Sequence, residues 1–553
     1  MEKSFDNRKR SERLDQAKNT QYDLIVVGGG ITGAGIALDA AIRGINTLLI
    51  EKHDFASGTS SKSTKLIHGG LRYLKQLEFG LVRETGMERA VAHKNAPHLV
   101  HPETMLLPIV DKGTFNKYTA SLAISVYDQL AQVSGDDKKK SLNKEATLER
   151  EPLLREDILK SSIAYSEYRT DDARLTVELI KAARREGAEA FNYVKANDFI
   201  YEEGKIVGIY AEDRMANEVI ELKATQVVSA AGPWVDLLRK KDNSLKGKSL
   251  HLTKGVHIVL PQERLPINKA VYFDAFDGRM LFAIPRGKVT YIGTSDTNYT
   301  SDLDRVVCTT ADVDYLLEKV NVMFEVDTLT LDDVVSSWAG LRPLIHQDGK
   351  SPSELSRKDE IFEADSGLIS IAGGKLTGFR KMAKRIIDLV QEKHTAFGDE
   401  KCQTKKYKIH ADPYKSYKAF ETHQKELLAQ YQASGLTQYD AWYLTTTYGK
   451  SADAIVANAV NNQTMSLPAS LIKSEIDFAI EYESAILPED YFNRRSGKLY
   501  FDVSSLTEHF DLIISTFAHH FGWDDAKTKQ ITQESKQLIS DCVDIQAEVA
   551  TVS

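Results

Sequence analysis

Tyr22-Asp23-Leu24-Ile25-Val26-Val27-Gly28-Gly29-Gly30-Ile31-Thr32-Gly33-Ala34-Gly35 is the stretch on which the reading of this 553-residue chain turns. Asp23 to Val27 is a short apolar run of the kind a buried parallel strand needs, and it stops at a glycine triplet. Gly28, Gly30 and Gly33 fill the three glycine positions of a dinucleotide fingerprint. The first permits the tight turn out of the strand, the second lets a pyrophosphate approach the backbone, and the third lets the next helix pack close to the sheet. Ile36 to Arg43 reads as that helix, whose unpaired N-terminal N–H groups and positive dipole end suit two phosphates. The chain turns at Gly44, runs Asn46 to Ile50 as a second apolar strand, and ends on Glu51, placed to accept hydrogen bonds from an adenosine ribose. A carboxylate there repels a 2′-phosphate, so the expected ligand is FAD or NAD and not NADP.

Composition bounds the rest. A chain of 553 residues is too long for one core and implies two to four. With 42% hydrophobic and 27% charged residues it is an ordinary globular protein, and a net charge of −8 argues against non-specific nucleic-acid binding. Cys308, Cys402 and Cys542 make neither a zinc spacing nor a disulfide framework, which fits a reducing compartment, and no metal site is expected. The charged first twenty residues lack the apolar core of a signal peptide, and no run approaches the ~18 apolar residues of a transmembrane helix. The expected location is the cytoplasm, or at most a membrane surface.

After the fingerprint comes the densest polar stretch, Thr59 to Tyr73, where hydroxyls, glycines, His68 and Arg72 suit a loop wrapped around an anionic ligand. A solvated serine-rich loop is the plain alternative. Leu71 to Arg89 and Phe115 to Val133 read as helices, the second apolar enough for core or, less favoured, for a membrane-facing surface. A helix from Asp171 to Gly187 leads to short strands at Ala190 to Lys195, Lys205 to Ala211 and Val219 to Leu222, then to a buried strand from Gln226 that ends in Gly232-Pro233-Trp234. His251 to Asp296 alternates as an antiparallel sheet does, a second unit that would roof over a substrate. Leu368 to Ala372 is one more strand, closed by Gly373-Gly374-Lys375-Leu376-Thr377-Gly378 and a helix whose N-terminus would face a flavin ring. Gly398 to Lys415 reads as a linker to a helical region, in which Arg494-Arg495 is expected to be a solvated or interface pair.

Five separated motifs resemble the FAD-dependent glycerol-3-phosphate dehydrogenase and oxidase family. They are Ser60 to Leu74, Thr170 to Thr176, Gly232 to Asp236, Ser337 to Leu344 and Ala372 to Thr377. The resemblance implies an α/β fold with a glutathione-reductase-type FAD-binding Rossmann domain, an antiparallel β substrate domain and an all-α C-terminal domain. The expected division is an N-terminal extension 1–20, FAD-binding segments 21–110, 171–240 and 361–396, helical and substrate-domain elements 111–170, a substrate sheet 241–360, a linker 397–415 and helices 416–553. It implies oxidation of sn-glycerol 3-phosphate to dihydroxyacetone phosphate, by hydride transfer from C2 to flavin N5, with electrons passed to a membrane quinone or, in the oxidase branch, to oxygen. Ser229-Ala230-Ala231-Gly232 stands where the family usually has Asn-Ala-Thr-Gly, a loss of two polar side chains. The short connection between Arg342 and Arg357 leans toward the dehydrogenase. A homodimer is left open, as are an amine or amino-acid oxidase of the same superfamily and a redox-silent scaffold.

The expected cofactor contacts are Gly28, Gly30, Ile31, Thr32, Gly33 and Glu51 in the fingerprint; Ser60, Ser61, Thr64, Lys65, Leu66, His68 and Gly69 in the polar loop; Val194, Ala231 and Gly232; and Gly374, Lys375, Leu376 and Thr377. Oxidising a secondary alcohol needs a base for the hydroxyl proton, and His68 and His257 are both candidates. By similarity to the family, Arg342 and Arg357 are assigned to the phosphate, while Arg72, Tyr73 and Lys375 are placed near the substrate hydroxyls or flavin edge, with Arg342 and Lys375 counted among the catalytic groups.

Overall fold

The structure, a computed structural model, describes residues 3–68, 79–116, 120–121, 124–126, 139–346, 358–462 and 464–545. Gln21–Val27 is the central strand of the first sheet, because every side chain from Leu24 onward is buried on both faces, as a parallel strand between helices must be. Thr47–Ile50 and Glu218–Ser229 flank it in parallel, with Val27 opposite both Ile50 and Ser229. Glu189–Phe191 lies beyond Thr47–Ile50, and Ile369–Gly373 beyond Glu218–Ser229. Helices Ile31–Ile42, Asp172–Arg185 and Phe379–Lys393 cover one face, sharing a core of Leu24, Val26, Ile36, Leu179 and Ile386. The strands expected at Val219 to Leu222 and from Gln226 are one continuous element whose first half joins an antiparallel meander with Val194–Glu202 and Lys205–Asp213.

The second sheet contains ten strands among the described residues. Leu250–Pro261, Met280–Arg286 and Val289–Gly293 pair antiparallel where the alternation predicts it. Val100–Val110, expected in the FAD-binding segment, instead pairs along its whole length with Leu159–Thr170 in this sheet. Asp359–Glu363, which straddles the boundary expected between 360 and 361, lies wholly in the first sheet as an edge strand. Both departures have one cause: strand pattern identifies a strand but not its sheet, which is set by long-range partners. The helices expected over Leu71 to Arg89 and Phe115 to Val133 fall partly outside the described residues; Phe79–Asn95 is helical, and Ala120 and Ile124 are buried in the second core.

The C-terminal helices do not stand apart. Ile472, Ile476, Tyr491 and Phe517 belong to the same core as Met105 and Tyr291 of the second sheet. Within that helical region, Val503–Glu508 and Phe510–Phe521 are separated by a break at His509. The stretch expected as a linker is pinned, with Ile409, His410 and Tyr414 buried. Arg494 and Arg495 are buried too, an interface pair and not a solvated one, because each meets the carboxylate of Asp54. Cys308, Cys402 and Cys542 are free thiols, and among the described residues no helix is long and apolar enough to cross a membrane.

A buried ion cluster ties the first unit to the last. Arg174 donates to Glu483 at 2.6 and 2.7 Å and to Glu178 at 3.1 Å, while Lys181 bridges the same two carboxylates. Burial alone would push the Glu483 carboxyl up, but the charges of Arg174 and Lys181 overcome it and hold it at about 2, against an ordinary value of 4.5. The stabilisation is therefore complete above pH 4.5 and lost as pH falls through about 2. Glu483→Gln should cost about 3–5 kcal/mol at neutral pH, since it leaves buried cations uncompensated. Denaturant melts at pH 7 and pH 3 test this: the deficit should shrink in acid, and a constant deficit would mean that packing, not charge, is lost.

Candidate active site

A single cavity of about 360 Å³ runs from the end of the first sheet, under the second sheet, to the glycine turn after Ile369–Gly373. Such a volume is in the range of cofactor pockets. Its first wall is the fingerprint. Gly28 has φ +116°, and a Cβ on it would sit 2.5 Å from the Ala230 carbonyl oxygen, so the strand can turn only as glycine. A Cβ on Gly33 would lie 1.9 Å from the Gly28 oxygen, so this glycine sets the helix-to-strand distance without lining the cavity. Gly33→Ala should cost about 2–3 kcal/mol through overpacking. An unchanged thermal melt would show that the helix can move away.

Ser60 Oγ accepts from the Ile31 N–H at 2.9 Å, tying the polar loop to the helix N-terminus. Glu51 ends its strand with Oε2 accepting from Gly29 N at 2.7 Å and Oε1 from His53 N at 3.0 Å. Burial pushes its carboxyl up, and the two N–H groups oppose the shift.

The second wall is decided by register. Thr253 pairs with Arg342, Gly255 with Gly340 and His257 with Trp338, so alternate residues of two neighbouring strands share one sheet face. Gly255, His257, Gly340 and Arg342 all line the cavity. The two glycines of this sheet nearest the polar side chains have a specific use. A Cβ on Gly255 would meet the Arg342 guanidinium at 2.2 Å, and one on Gly293 would meet the His257 ring at 2.1 Å, so both side chains lie flat across bare backbone. Arg342 is aimed by Thr294 Oγ1 at 2.7 Å, the Ser295 carbonyl at 3.1 Å and Asp296 Oδ1 at 3.2 Å.

His257 is held on three sides. Its Nε2 is 2.9 Å from Thr64 Oγ1, and its ring stacks on Trp338 at 4.7 Å and 11°. Trp338 in turn donates to the Ser63 carbonyl and stacks on Tyr500 of the C-terminal helices. Among the described residues Nδ1 of His257 has no hydrogen-bond partner. Burial first, and then the charges of Arg342 and Lys65, push its pKa well below 6.5, so the ring is neutral at physiological pH. His68 lines the same cavity, edge-on to Phe282.

Of the residues expected at the site, Gly28, Gly30, Ile31, Thr32, Glu51, Ser60, Thr64, Leu66, His68, Val194, Ala231, Gly232, His257, Arg342, Gly374, Lys375, Leu376 and Thr377 line this one cavity. Ser61 and Lys65 do not: Ser61 bonds the Gly58 carbonyl, and the buried Lys65 ammonium pairs with Asp172 and the Ser61 carbonyl behind the wall. Gly69, Arg72, Tyr73 and Arg357 lie outside the described residues. Lys52, Lys62 and Trp234 also line the cavity and were not among the expected site residues, although Lys62 and Trp234 lie within two of the family motifs. Among the described residues no group of acidic, histidine and cysteine side chains has the makings of a metal site.

The cradle suits FAD: bare glycine backbone and a helix N-terminus at one end, the half-buried Glu51 carboxylate beside them, and a glycine turn with φ +76° and +78° at Gly373 and Gly374 toward the other end. Residues 23–379 match the family model described as FAD dependent oxidoreductase, and residues 402–528 match that of the C-terminal domain of alpha-glycerophosphate oxidase. An aerobic glycerol-3-phosphate dehydrogenase of Bacillus subtilis is 45% identical, the match covering 98% of this chain and 99% of that one. One from Staphylococcus haemolyticus is 45% identical over 94% of each. The crystal structure of the glycerol-3-phosphate dehydrogenase of Bacillus halodurans complexed with FAD superposes with a TM-score of 0.84 at 41% identity, covering 99% of this chain and 100% of that one. The chain thus belongs, over nearly its whole length, to the FAD-dependent glycerol-3-phosphate dehydrogenase and oxidase family.

Proposed function

We propose that this protein oxidises sn-glycerol 3-phosphate to dihydroxyacetone phosphate with bound FAD and delivers the electrons to a quinone at the inner face of the cell membrane. The observation that carries the reading is the shared sheet face that brings a fixed arginine and a neutral histidine to one cofactor-sized cavity. Near-full-length identity of 45% to aerobic glycerol-3-phosphate dehydrogenases supports the substrate. Gly28, Gly30, Ile31 and Thr32 would hold the pyrophosphate and Glu51 the ribose, with Ser60, Thr64, Leu66, Ala231, Gly232, Gly374, Leu376 and Thr377 along the remaining length. Bound FAD supplies the acceptor for the two electrons that leave C2.

The chain's own residues do the rest. Arg342 binds and orients the phosphate, and the planar fork matches two of its oxygens. His257 takes the hydroxyl proton, being neutral and held in one orientation. Lys375, at the glycine turn, lines the cavity and would face the substrate hydroxyls or the flavin edge. Arg72 and Tyr73, by their place in a family motif, and Arg357, by similarity to the family's site, would complete the substrate contacts. Ser61 and Lys65 brace the polar loop from behind.

Reduction of oxygen to hydrogen peroxide is the second reading, favoured by the match of residues 402–528 to the oxidase C-terminal model. An anaerobic flavin spectrum titrated with glycerol 3-phosphate, then exposed to air and to a soluble quinone, separates the two. Bleaching with slow recovery in air and fast recovery with quinone is expected. Fast recovery in air with stoichiometric peroxide would establish the oxidase, and no bleaching would sink the substrate assignment.

A further inference from the structure

The loop from Glu51 to Gly58 forms one wall of the cavity through Glu51, Lys52, Ser57 and Gly58. Its inner side is tied to the fingerprint, with Ala56 N donating to the Gly29 carbonyl at 3.0 Å and the Phe55 ring packed against Gly29. Ala56 takes φ +62°, a conformation that a residue with a Cβ adopts only when its surroundings enforce it. The enforcement comes from outside the first unit. Asp54, fully buried, points away from the cavity into the C-terminal helices. There it accepts both terminal nitrogens of Arg495, at 2.7 and 2.8 Å, and Nε of Arg494. Asn192 adds a fourth bond at 2.9 Å and reaches the Ser484 carbonyl with the same amide. The two arginines sit on the π-helical turn Asp490–Arg495, where Arg494 is also paired with Asp490. Asp54 and Asp490 thus meet the two arginines in one buried cluster, with Glu489 3.6 Å from Arg494 at its edge, and Asp54 belongs to the cofactor loop.

We propose that the C-terminal helical domain completes the cofactor site: Arg494 and Arg495, by clamping Asp54, hold the Glu51–Gly58 loop in its binding conformation and set how tightly FAD is retained. They are positioning residues, since neither lines the cavity. A bidentate buried pair fixes direction as well as distance, so it holds Asp54, and with it the strained Ala56 and the Glu51 carboxylate, in one arrangement. The clamp rests on the FAD reading above.

Full-length holoprotein stripped of flavin and titrated with FAD, followed by flavin fluorescence, tests it. Arg495→Gln is expected to raise the FAD dissociation constant by about tenfold or more, whereas Ile455→Ala should leave it within about twofold at a comparable loss of melting temperature. Ile455 is the control because it is buried in a core of the C-terminal helices that includes no residue of the turn Asp490–Arg495. Equal FAD loss in both variants would reduce the clamp to general stability and overturn the proposal, as would unchanged affinity in Arg495→Gln. If Arg495→Gln does not fold, Asn192→Ala decides, with about a threefold rise expected and no rise overturning the clamp. Wild-type protein that binds no flavin would instead sink the cofactor assignment.

Discussion

Arg342→Ala is expected to lower kcat/KM for glycerol 3-phosphate by about two to three powers of ten, most of it as a rise in KM. The phosphate is remote from the bond that breaks, so its contacts are made equally in ground and transition states and appear as uniform binding. Lysine should not rescue the variant fully, because the site is shaped for a planar fork lying over Gly255 and steered by Thr294, Ser295 and Asp296. A second readout follows from electrostatics. Behind burial, Arg342 is the next cause holding His257 neutral, so removing it should move the acid limb of the kcat/KM profile to higher pH. Loss of kcat at unchanged KM would refute the phosphate role.

His257→Ala is expected to cost about two to four powers of ten in kcat, with a smaller loss for His68→Ala. The difference rests on how the two rings are held. His257 is bonded by Thr64, stacked on Trp338 and set over Gly293, so its orientation is fixed before substrate arrives. For a base whose pKa lies well below 6.5, the acid limb of the wild-type profile should also lie below that value. Its neutral form is the active one, so activity should be present above the limb and fall as pH drops through it. Stopped-flow flavin reduction across pH measures both quantities. If His68→Ala is the slower enzyme, the two roles are exchanged.

Local chemistry was legible in the chain itself. The turn at Gly28, the close packing at Gly33 and the carboxylate at Glu51 follow from a strand, a glycine spacing and a helix within thirty residues or so, where each residue's requirement is met by near neighbours. Strands over Leu250–Pro261, Met280–Arg286 and Val289–Gly293 were readable for the same reason, their alternation being a property of the strand alone. Lys65 marks the boundary: a cation in a ligand-like loop looks like an anion contact, yet burial beside Asp172 gave it an internal partner. Arg494 and Arg495 are the opposite case, two charges that could be solvated or at an interface until Asp54, more than four hundred positions away, is brought against them.

The fingerprint and the family motifs thus determined the cofactor class, the fold class and the candidates His68, Arg72 and Arg342, while His257 entered through the need for a base. Tertiary structure decided which sheet owns Val100–Val110, that Arg342 and His257 share a face, that Gly255 and Gly293 clear the space beneath them, and that the last domain reaches into the cofactor loop. The physical reason is common to all four. Registers and buried ion pairs are made between segments far apart in the chain, and their energy depends on which partner arrives, a quantity no local window contains.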